Sequence, residues 1–413
     1  MAFAALRHRD FRIFWIGQVL SGVGTQFSTV AMAWQIYELT NSPLHIGMLG
    51  LARAIPQMSL LLFGGLLADA VDRKRLLIVT QVGQFLVSAG LVVITLSGRA
   101  SPFALYGANV FFAIFSSLET PARQALPPNL VPRTELPNAL ALTNAQRHVA
   151  MIAGPSLAGI ALGFVGPALC YGVDAISWLA MAFSLTCITT PLSAAGRRAI
   201  SFNSLKEGVG FVRSQPVILL LMSLDFGMTF LGSTRALLPI YARDILQVGP
   251  EGLGILHSAV AAGSLGSATF LSFWGRVRRA GRWALIGVAI YGACVLLFAF
   301  STIFWFSVLM LAGTGMGNTI GAVLRSTINQ LCTPDEIRGR MSSVNSIFTS
   351  GGPQLGQFES GLVASFAGAE IAAFIGGVAT LLLVTSVSVA APIVRKFEIG
   401  SESLPTPTGP RHR

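Results

Sequence analysis

The stretch "GGLLADAVDRKRLL" (residues 64–77) interrupts two long apolar runs with five ions in seven positions: Asp69, Asp72, Arg73, Lys74 and Arg75. The whole chain is 53% hydrophobic and 11% charged, so such a cluster marks a point where the backbone leaves an apolar phase. Soluble domains carry about 25% charged residues. An apolar core spread over 413 residues would also divide into separate domains. Lipid is the simplest solvent for this much apolar surface, and the stretch reads as a short connection between two membrane-spanning helices.

A bilayer core takes about 20 apolar residues per helix. Working outward, runs of that length fall at 12–38, 44–68, 76–97, 102–122, 144–166, 168–191, 216–241, 251–273, 282–300, 303–325, 342–366 and 369–394. They are continuous rather than alternating, which excludes a transmembrane β-barrel. The expected fold is an all-α membrane protein with twelve transmembrane helices. One long polar break, 192–215, lies near the middle. Its Phe202, Leu205, Val209 and Val212 recur at helical spacing, as in an amphipathic helix lying in the interface. The chain therefore divides into an N-terminal six-helix bundle (1–191), a cytoplasmic linker with that helix (192–215), a C-terminal six-helix bundle (216–394) and a polar, Pro-rich cytoplasmic tail (395–413) expected to be disordered.

The bases fix the orientation. Arg7, Arg9 and Arg12, the cluster 73–75, Arg123, Arg133, the linker bases, Arg276, Arg278, Arg279, Arg282, Arg338, Arg340, Arg395 and Lys396 all fall on alternate connections. The opposite connections hold Arg99 and Arg243. Loops rich in Lys and Arg stay in the cytoplasm, so both termini and the linker are expected there, with the protein in the inner membrane. One missed or invented span would scramble this alternation. The net charge of +11 is explained by topology and calls for no nucleic acid. Arg7, His8, Arg9 and Arg12 lead into a long span without a cleavage site, so no cleavable signal is expected. Cys170, Cys187, Cys294 and Cys332 show no metal-ligand or redox spacing. Neither a metal nor another cofactor is expected.

The two halves echo each other. "RQALPPNLVPRTELPNA" starts at Arg123 after the fourth span, and "RSTINQLCTPDEIRGRM" starts at Arg325 after the tenth. Arg123 and Pro132 keep the separation of Arg325 and Pro334; Gly154-Pro155 in the fifth span matches Gly352-Pro353 in the eleventh. Two parallel six-helix repeats, here two pseudo-symmetric bundles, are a transporter signature, with the substrate path near mid-membrane between them.

Gly65-Leu66-Leu67-Ala68-Asp69 followed by Asp72-Arg73-Lys74-Arg75 resembles motif A of the major facilitator superfamily. The loops "ETPARQALPPNLVP" and "TPDEIRGRM" resemble its branch of enterobactin exporter-like bacterial efflux proteins. Gly65 suits close helix approach. Asp69 suits a neighbouring helix N-terminus, whose backbone N–H groups and dipole favour a carboxylate; the resemblance makes that neighbour the eleventh helix. It also implies that Arg73 pairs with Glu119 at the end of the fourth helix. Gly65, Asp69, Arg73 and Glu119 then form a latch between halves that holds the outward-open state. Asp72 departs from the common motif, which has glycine there, and reads as neutralising a neighbouring base. Gly154, Pro155 and Gly159 resemble the antiporter motif of the fifth helix: Pro155 kinks it and Gly159 permits close packing. An ordinary kinked packing helix fits equally. The fourth span, Asn109 to Ser117, lacks the base that proton-coupled drug exporters of the superfamily carry.

A charge within a span costs at least ~2.5 kcal/mol, so each needs a reason. Asp225 in the seventh span has two readings: a proton-titrating or cation-contacting group, or half of a fixed ion pair with a base from another helix. Arg53 and Arg235 either attract an anionic substrate or snorkel or pair near the outer half, the residues favouring the latter. Asp174 and Glu359 read as structural partners. Gln18 and Gln26 in the first span exceed the needs of small-residue packing and lean toward cavity lining.

The reading that follows is a secondary transporter exporting a small amphipathic molecule, siderophore-like or drug-like, by alternating access with protons as the coupling ion. An importer or lipid-type carrier on the same fold is the near alternative. A non-transporting receptor or intramembrane enzyme is the distant one, and the sequence lacks His-x-x-x-His, Gly-x-Ser-x-Gly and phosphate-loop arrangements. No enzyme activity is expected, and nothing asks for more than a monomer.

Overall fold

The computed structural model describes residues 3–70, 72–190, 209–274, 277, 279–334, 337–395 and 397–398, with the side chains of 61–70, 274, 338–340, 342 and 343 outside that description. Twelve long helices stand among the described residues: α1 Arg9–Thr40, α2 Pro43–Ala70, α3 Arg73–Leu96, α4 Pro102–Gln124, α5 Leu136–Phe164, α6 Pro167–Cys187, α7 Pro216–Leu231, α8 Gly249–Trp274, α9 Ala280–Ala299, α10 Phe304–Cys332, α11 Arg338–Ala367 and α12 Ala369–Ala390. Seven of them are long and apolar enough to cross a bilayer by length and composition alone. α7 is apolar but shorter, at 16 residues, and α1, α2, α5 and α11 carry more of the polar and charged residues.

The helices start where local chemistry lets them. Proline opens α2, α4, α6 and α7, since its missing N–H costs nothing in a first turn. Ser101 caps α4 by accepting from the Ala104 N–H. Asp72 does the same for α3, accepting from the Lys74 and Arg75 N–H groups at 2.8 and 3.1 Å. The residue that departs from the family motif is thus a helix cap, satisfying two orphan donors.

The pairing of helices shows the repeat. In the first half α1 packs on α5 and α6, α2 on α4, and α3 on α4 and α6. Adding six to each label gives the second-half list: α7 on α11 and α12, α8 on α10, and α9 on α10 and α12. The halves meet chiefly through α2 with α11 and α5 with α8, and the same shift exchanges these two seams. The fold is two pseudo-symmetric six-helix bundles, as the sequence predicts.

Three helix boundaries differ most from the sequence reading, the first being α5, which starts at Leu136 rather than 144. The seventh span does not run to 241: α7 ends at Leu231, and the chain turns through Gly232–Leu237 before a short helix Leu238–Ile240 and a π-turn Tyr241–Ile245. Gly, Ser and Thr at 232–234 are weak helix formers, and the Gly232 carbonyl is taken by the Tyr291 hydroxyl at 2.8 Å. Conversely, α10 continues past Arg325 to Cys332. The base ends the apolar run but not the helix, because its charge is compensated inside the protein. Of the linker, 192–208 lie outside the described residues, as do 396 and 399–413 of the tail. The following segment 209–214 is helical, and Val209, Phe211 and Val212 pack against Ile218, Met222, Met341 and Val344 of α7 and α11. All four cysteines are free.

Asp10 ties the start of α1 to the end of α6. Its Oδ2 accepts from the N–H groups of Thr189 and Thr190 at 3.0 and 2.9 Å, and from their hydroxyls at 3.1 and 2.7 Å. Desolvation raises the Asp10 pKa, but these four hydrogen bonds outweigh it and hold the group below 3.8. A depressed carboxylate contributes stability that is present above its unfolded pKa and lost as pH falls through the folded one. Asp10→Asn is therefore expected to lower the Tm of the purified protein at pH 7, with the gap to wild type closing below about pH 4. An unchanged gap at pH 3 would show that the carboxylate charge is not what holds this junction.

Candidate functional site

Glycines set the spacing of both seams. A Cβ on Gly361 of α11 would lie 2.7 Å from the Cα of Gly47 in α2. A Cβ on Gly159 of α5 would lie 3.0 Å from the Cα of Gly254 in α8 and 2.5 Å from the Pro250 carbonyl oxygen. Backbones approach this closely only where side chains are missing. Ser156 and Ser258 hydrogen-bond across the second seam at 2.8 Å, and Gln357 Nε2 donates to the Ile46 carbonyl across the first at 3.3 Å. Gly47 lies near the start of α2 and Gly159 near the end of α5, so both seams close at the end opposite the basic loops.

A third connection joins the halves at that same end. The Tyr37 hydroxyl of α1 donates to Asp244 of the π-turn. Arg243 Nη1 donates to Asn41 Oδ1 at 2.8 Å, and its guanidinium lies 5.3 Å from the Tyr37 ring centroid, within cation–π range. Asn41 is placed for this by its left-handed backbone, φ 46°, at the C-cap of α1. The sequence reading assigned Arg243 only to topology; nothing local marks its partner Asn41, 202 residues away.

The motif-A residues are described in part. The side chains of Gly65 and Asp69 lie outside the described residues. Arg73 is buried. Glu119, 1% exposed, is held by Arg123 at 3.1 Å and accepts from Gln81 and Gln84 of α3 at 2.5 and 3.0 Å. Lys74 donates to the Thr186 and Ile188 carbonyls at the end of α6, 3.4 and 2.7 Å away, where the helix dipole favours a cation. Gly154 does not reach the other half; a Cβ there would lie 2.7 Å from Gln26 Cβ, so that pair packs α5 on α1. Pro155 and Gly159 do face α8. Gln18 is buried, and its carbonyl accepts from Gln146 at 2.7 Å.

Asp225 forms an ion pair with Arg325 of α10. Both are buried, at 6% and 5% exposure. They line a cavity of about 200 Å³ between α7, α10 and α11, with Asn318, Asn329, Asn345 and Thr349. Arg325 Nη1 and Asn329 Oδ1 have no hydrogen-bond partner, leaving one donor and one acceptor unused beside this space. The repeat gives Arg325 a counterpart in Arg123, which pairs within α4 with Glu119. The first half thus neutralises its base locally, whereas the second spends its base on an acid from another helix.

Asp174 is buried and pairs with no base among the described residues, its Oδ2 accepting from Ser28 and Ser88 at 2.5 and 2.7 Å. It joins α1, α3 and α6, consistent with a structural role. Arg53 is partly exposed and Arg235 is exposed.

Twelve helices in two repeats, meeting at symmetry-related seams around polar internal cavities, define a membrane transporter of the major facilitator superfamily. The family described as Transmembrane secretion effector matches residues 1–408, and the chain belongs to it. Among similar proteins, an enterobactin exporter of Salmonella choleraesuis (strain SC-B67) is 27% identical over 82% of this chain and 81% of its own length. One from Escherichia coli O81 (strain ED1a) is 25% identical over 83% and 82%. Similar solved structures include a bacterial homologue of the iron transporter ferroportin in an inward-facing state, with a TM-score of 0.72 at 17% identity, covering 91% of this chain and 97% of that one. The peptide transporter POT has a TM-score of 0.76 at 11% identity, covering 94% and 96%.

Truncating one partner of a buried ion pair strands the other charge, at about 3–5 kcal/mol. Asp225→Asn and Arg325→Gln are each expected to lower thermal stability strongly, and the double variant to lose less than the sum. Additive losses would show that the two groups are not coupled.

Proposed function

We propose that this protein exports a small amphipathic molecule, siderophore-like or drug-like, from the cytoplasm by alternating access. The units that rock are 1–191 and 216–394, joined by 192–215, with both termini on the cytoplasmic side of the inner membrane. The observation that carries this reading is the asymmetry of contact. The described glycine seams and the Tyr37–Asp244 and Arg243–Asn41 bonds all close the halves at the end away from the basic loops. With those loops cytoplasmic, the arrangement corresponds to an inward-facing state ready to load from the cytoplasm.

In the opposite state the seam bonds part and the basic end closes. Asp69, Arg73 and Glu119 are proposed to clasp that end. Proton antiport is proposed as the driving force. Asp225 is the group for it, because a proton there would release Arg325 to donate elsewhere. The names of the related enterobactin exporters support export and a siderophore-like cargo.

Everted vesicles carrying the purified protein are expected to accumulate a labelled catecholate siderophore when their interior is acidified, with proton release coupled to uptake. Asp225→Asn, checked for folding, is expected to retain cargo exchange and lose the coupled proton movement. Accumulation in right-side-out vesicles instead would make the protein an importer. Proton movement unchanged in the variant would remove Asp225 from coupling.

The far-end bonds give a second test. Removing them shifts the two-state balance by their free energy, and about 1 kcal/mol is roughly fivefold in population. Tyr37→Phe with Asn41→Ala, in a cysteine-free background, is expected to speed labelling of Gln354→Cys from the outer side by roughly that factor. Unchanged labelling would mean that these bonds do not hold the outer gate.

A further inference from the structure

Packed protein leaves few voids larger than a water molecule, yet a cavity of about 200 Å³ lies between α7, α10 and α11. Among the described residues its lining comes from the second half alone, so it belongs to that bundle. Asp225 is nine residues into α7 from Pro216, and Arg325 is seven residues before Cys332 at the end of α10. At 1.5 Å per residue the pair sits about 10–14 Å below the basic end. Ala322, Ser326 and Thr349 of the lining are exposed, so the space is open to entry.

The charges among the described lining residues, Asp225 and Arg325, are bound to each other and cancel. The polar groups around them, from Asn318, Asn329, Asn345 and Thr349, are neutral. Two buried atoms stay unsatisfied: Arg325 Nη1, a donor, and Asn329 Oδ1, an acceptor. Their side chains stand one turn apart on the same face of α10, in residues 5% and 7% exposed. Leaving a buried donor and a buried acceptor unpaired is costly, which suits a site that a ligand completes. A space without net charge disfavours an ion, whose desolvation nothing there would offset. A neutral group that accepts from Arg325 and donates to Asn329 meets both needs, and a carboxamide carries the two functions side by side. An apolar wall adjoins. Phe226 of α7 and Phe348 of α11, next in sequence to Asp225 and Thr349, meet edge to face with centroids 6.0 Å apart, and Phe230 stacks on Phe226 at 5.6 Å. A cavity of roughly 150 Å³ holds a benzene ring, so this one has room for a ring with one polar substituent.

Resting on the transport reading above, we propose that this cavity binds an uncharged aromatic carboxamide head of the cargo, with Arg325 Nη1 donating to its carbonyl oxygen and Asn329 Oδ1 accepting from its N–H. The cargo class is then an amphipathic molecule with a neutral amide head. The Asp225–Arg325 pair forms a charge-balanced floor that turns ions away. The site is one-sided, so cargo engages the second half near the basic end without help from the first.

Benzamide, benzoate and benzamidinium share one planar shape and differ in charge, and the binding of each to purified protein in detergent is titrated by saturation-transfer NMR. Wild type is expected to bind benzamide at least about tenfold more tightly than either ion. Asn329→Leu, which removes the acceptor, is expected to weaken benzamide about fivefold. Asn329→Asp, which keeps the shape and adds a charge, is expected to reverse the order in favour of benzamidinium, a gain that misfolding cannot produce. Equal binding of the three probes, binding of none, or an order unchanged in both variants would overturn the site and leave the cavity to water. Benzamide is also expected to slow uptake of the labelled siderophore into everted vesicles. Binding without that competition would overturn the assignment to cargo while the transport reading stands. Vesicles that move no cargo would remove the transport reading and with it the link to cargo, whereas the titration still decides whether the cavity takes a carboxamide.

Discussion

Everything in this molecule is arranged around two close backbone approaches, Gly47 with Gly361 and Gly159 with Gly254. Two bundles in lipid gain no hydrophobic energy by touching, since lipid tails are as apolar as the helix surfaces. Van der Waals contact and a few polar bonds must hold them, and these need small residues at the crossing. The same feature makes the contact reversible. A seam of glycines and serines carries few large side chains to withdraw, Gln357 among them, so the halves can part with little repacking of either bundle.

The ions divide into those that build each bundle and those that face the space between. Asp174, with Ser28 and Ser88, ties three helices of the first half. Glu119 with Arg123, Gln81 and Gln84 ties α3 to α4. Asp10 fastens the end of α6. Donors from neighbouring helices hold each of these carboxylates, with Asp174 Oδ1 and Gln81 Oε1 left without a partner among the described residues. The Asp225–Arg325 pair is different, because it borders a cavity and leaves a donor and an acceptor unused.

The broken seventh helix links these features. The helix stops at Leu231, and the Tyr291 hydroxyl satisfies the carbonyl freed at Gly232. The π-turn then brings Arg243 and Asp244 back to α1. Bonding between helices, rather than propensity alone, fixes where this break falls.

The twelve spans, the two repeats and the membrane class were legible in the residues themselves. Continuous apolar runs of about 20 residues admit few other structures in lipid, and the alternation of basic connections checks their number. Gly159 was legible as a packing position because glycine within a span has few other uses. The Asp72 cap was also written locally, two residues before the N–H groups it accepts, but was overshadowed by the bases beside it. The partners of charged groups were not legible. Asp225 stood out as an acid needing a reason, yet the base that answers it lies 100 residues on, at what looked like the end of an apolar run. The bond from Tyr37 to Asp244 likewise joins positions far apart in the chain. Hydropathy and spacing determine which segments enter the membrane, because that is a contest between each segment and the solvent. Which ion meets which depends on how the helices cross and where one of them breaks, and that was decided only when the bundles packed.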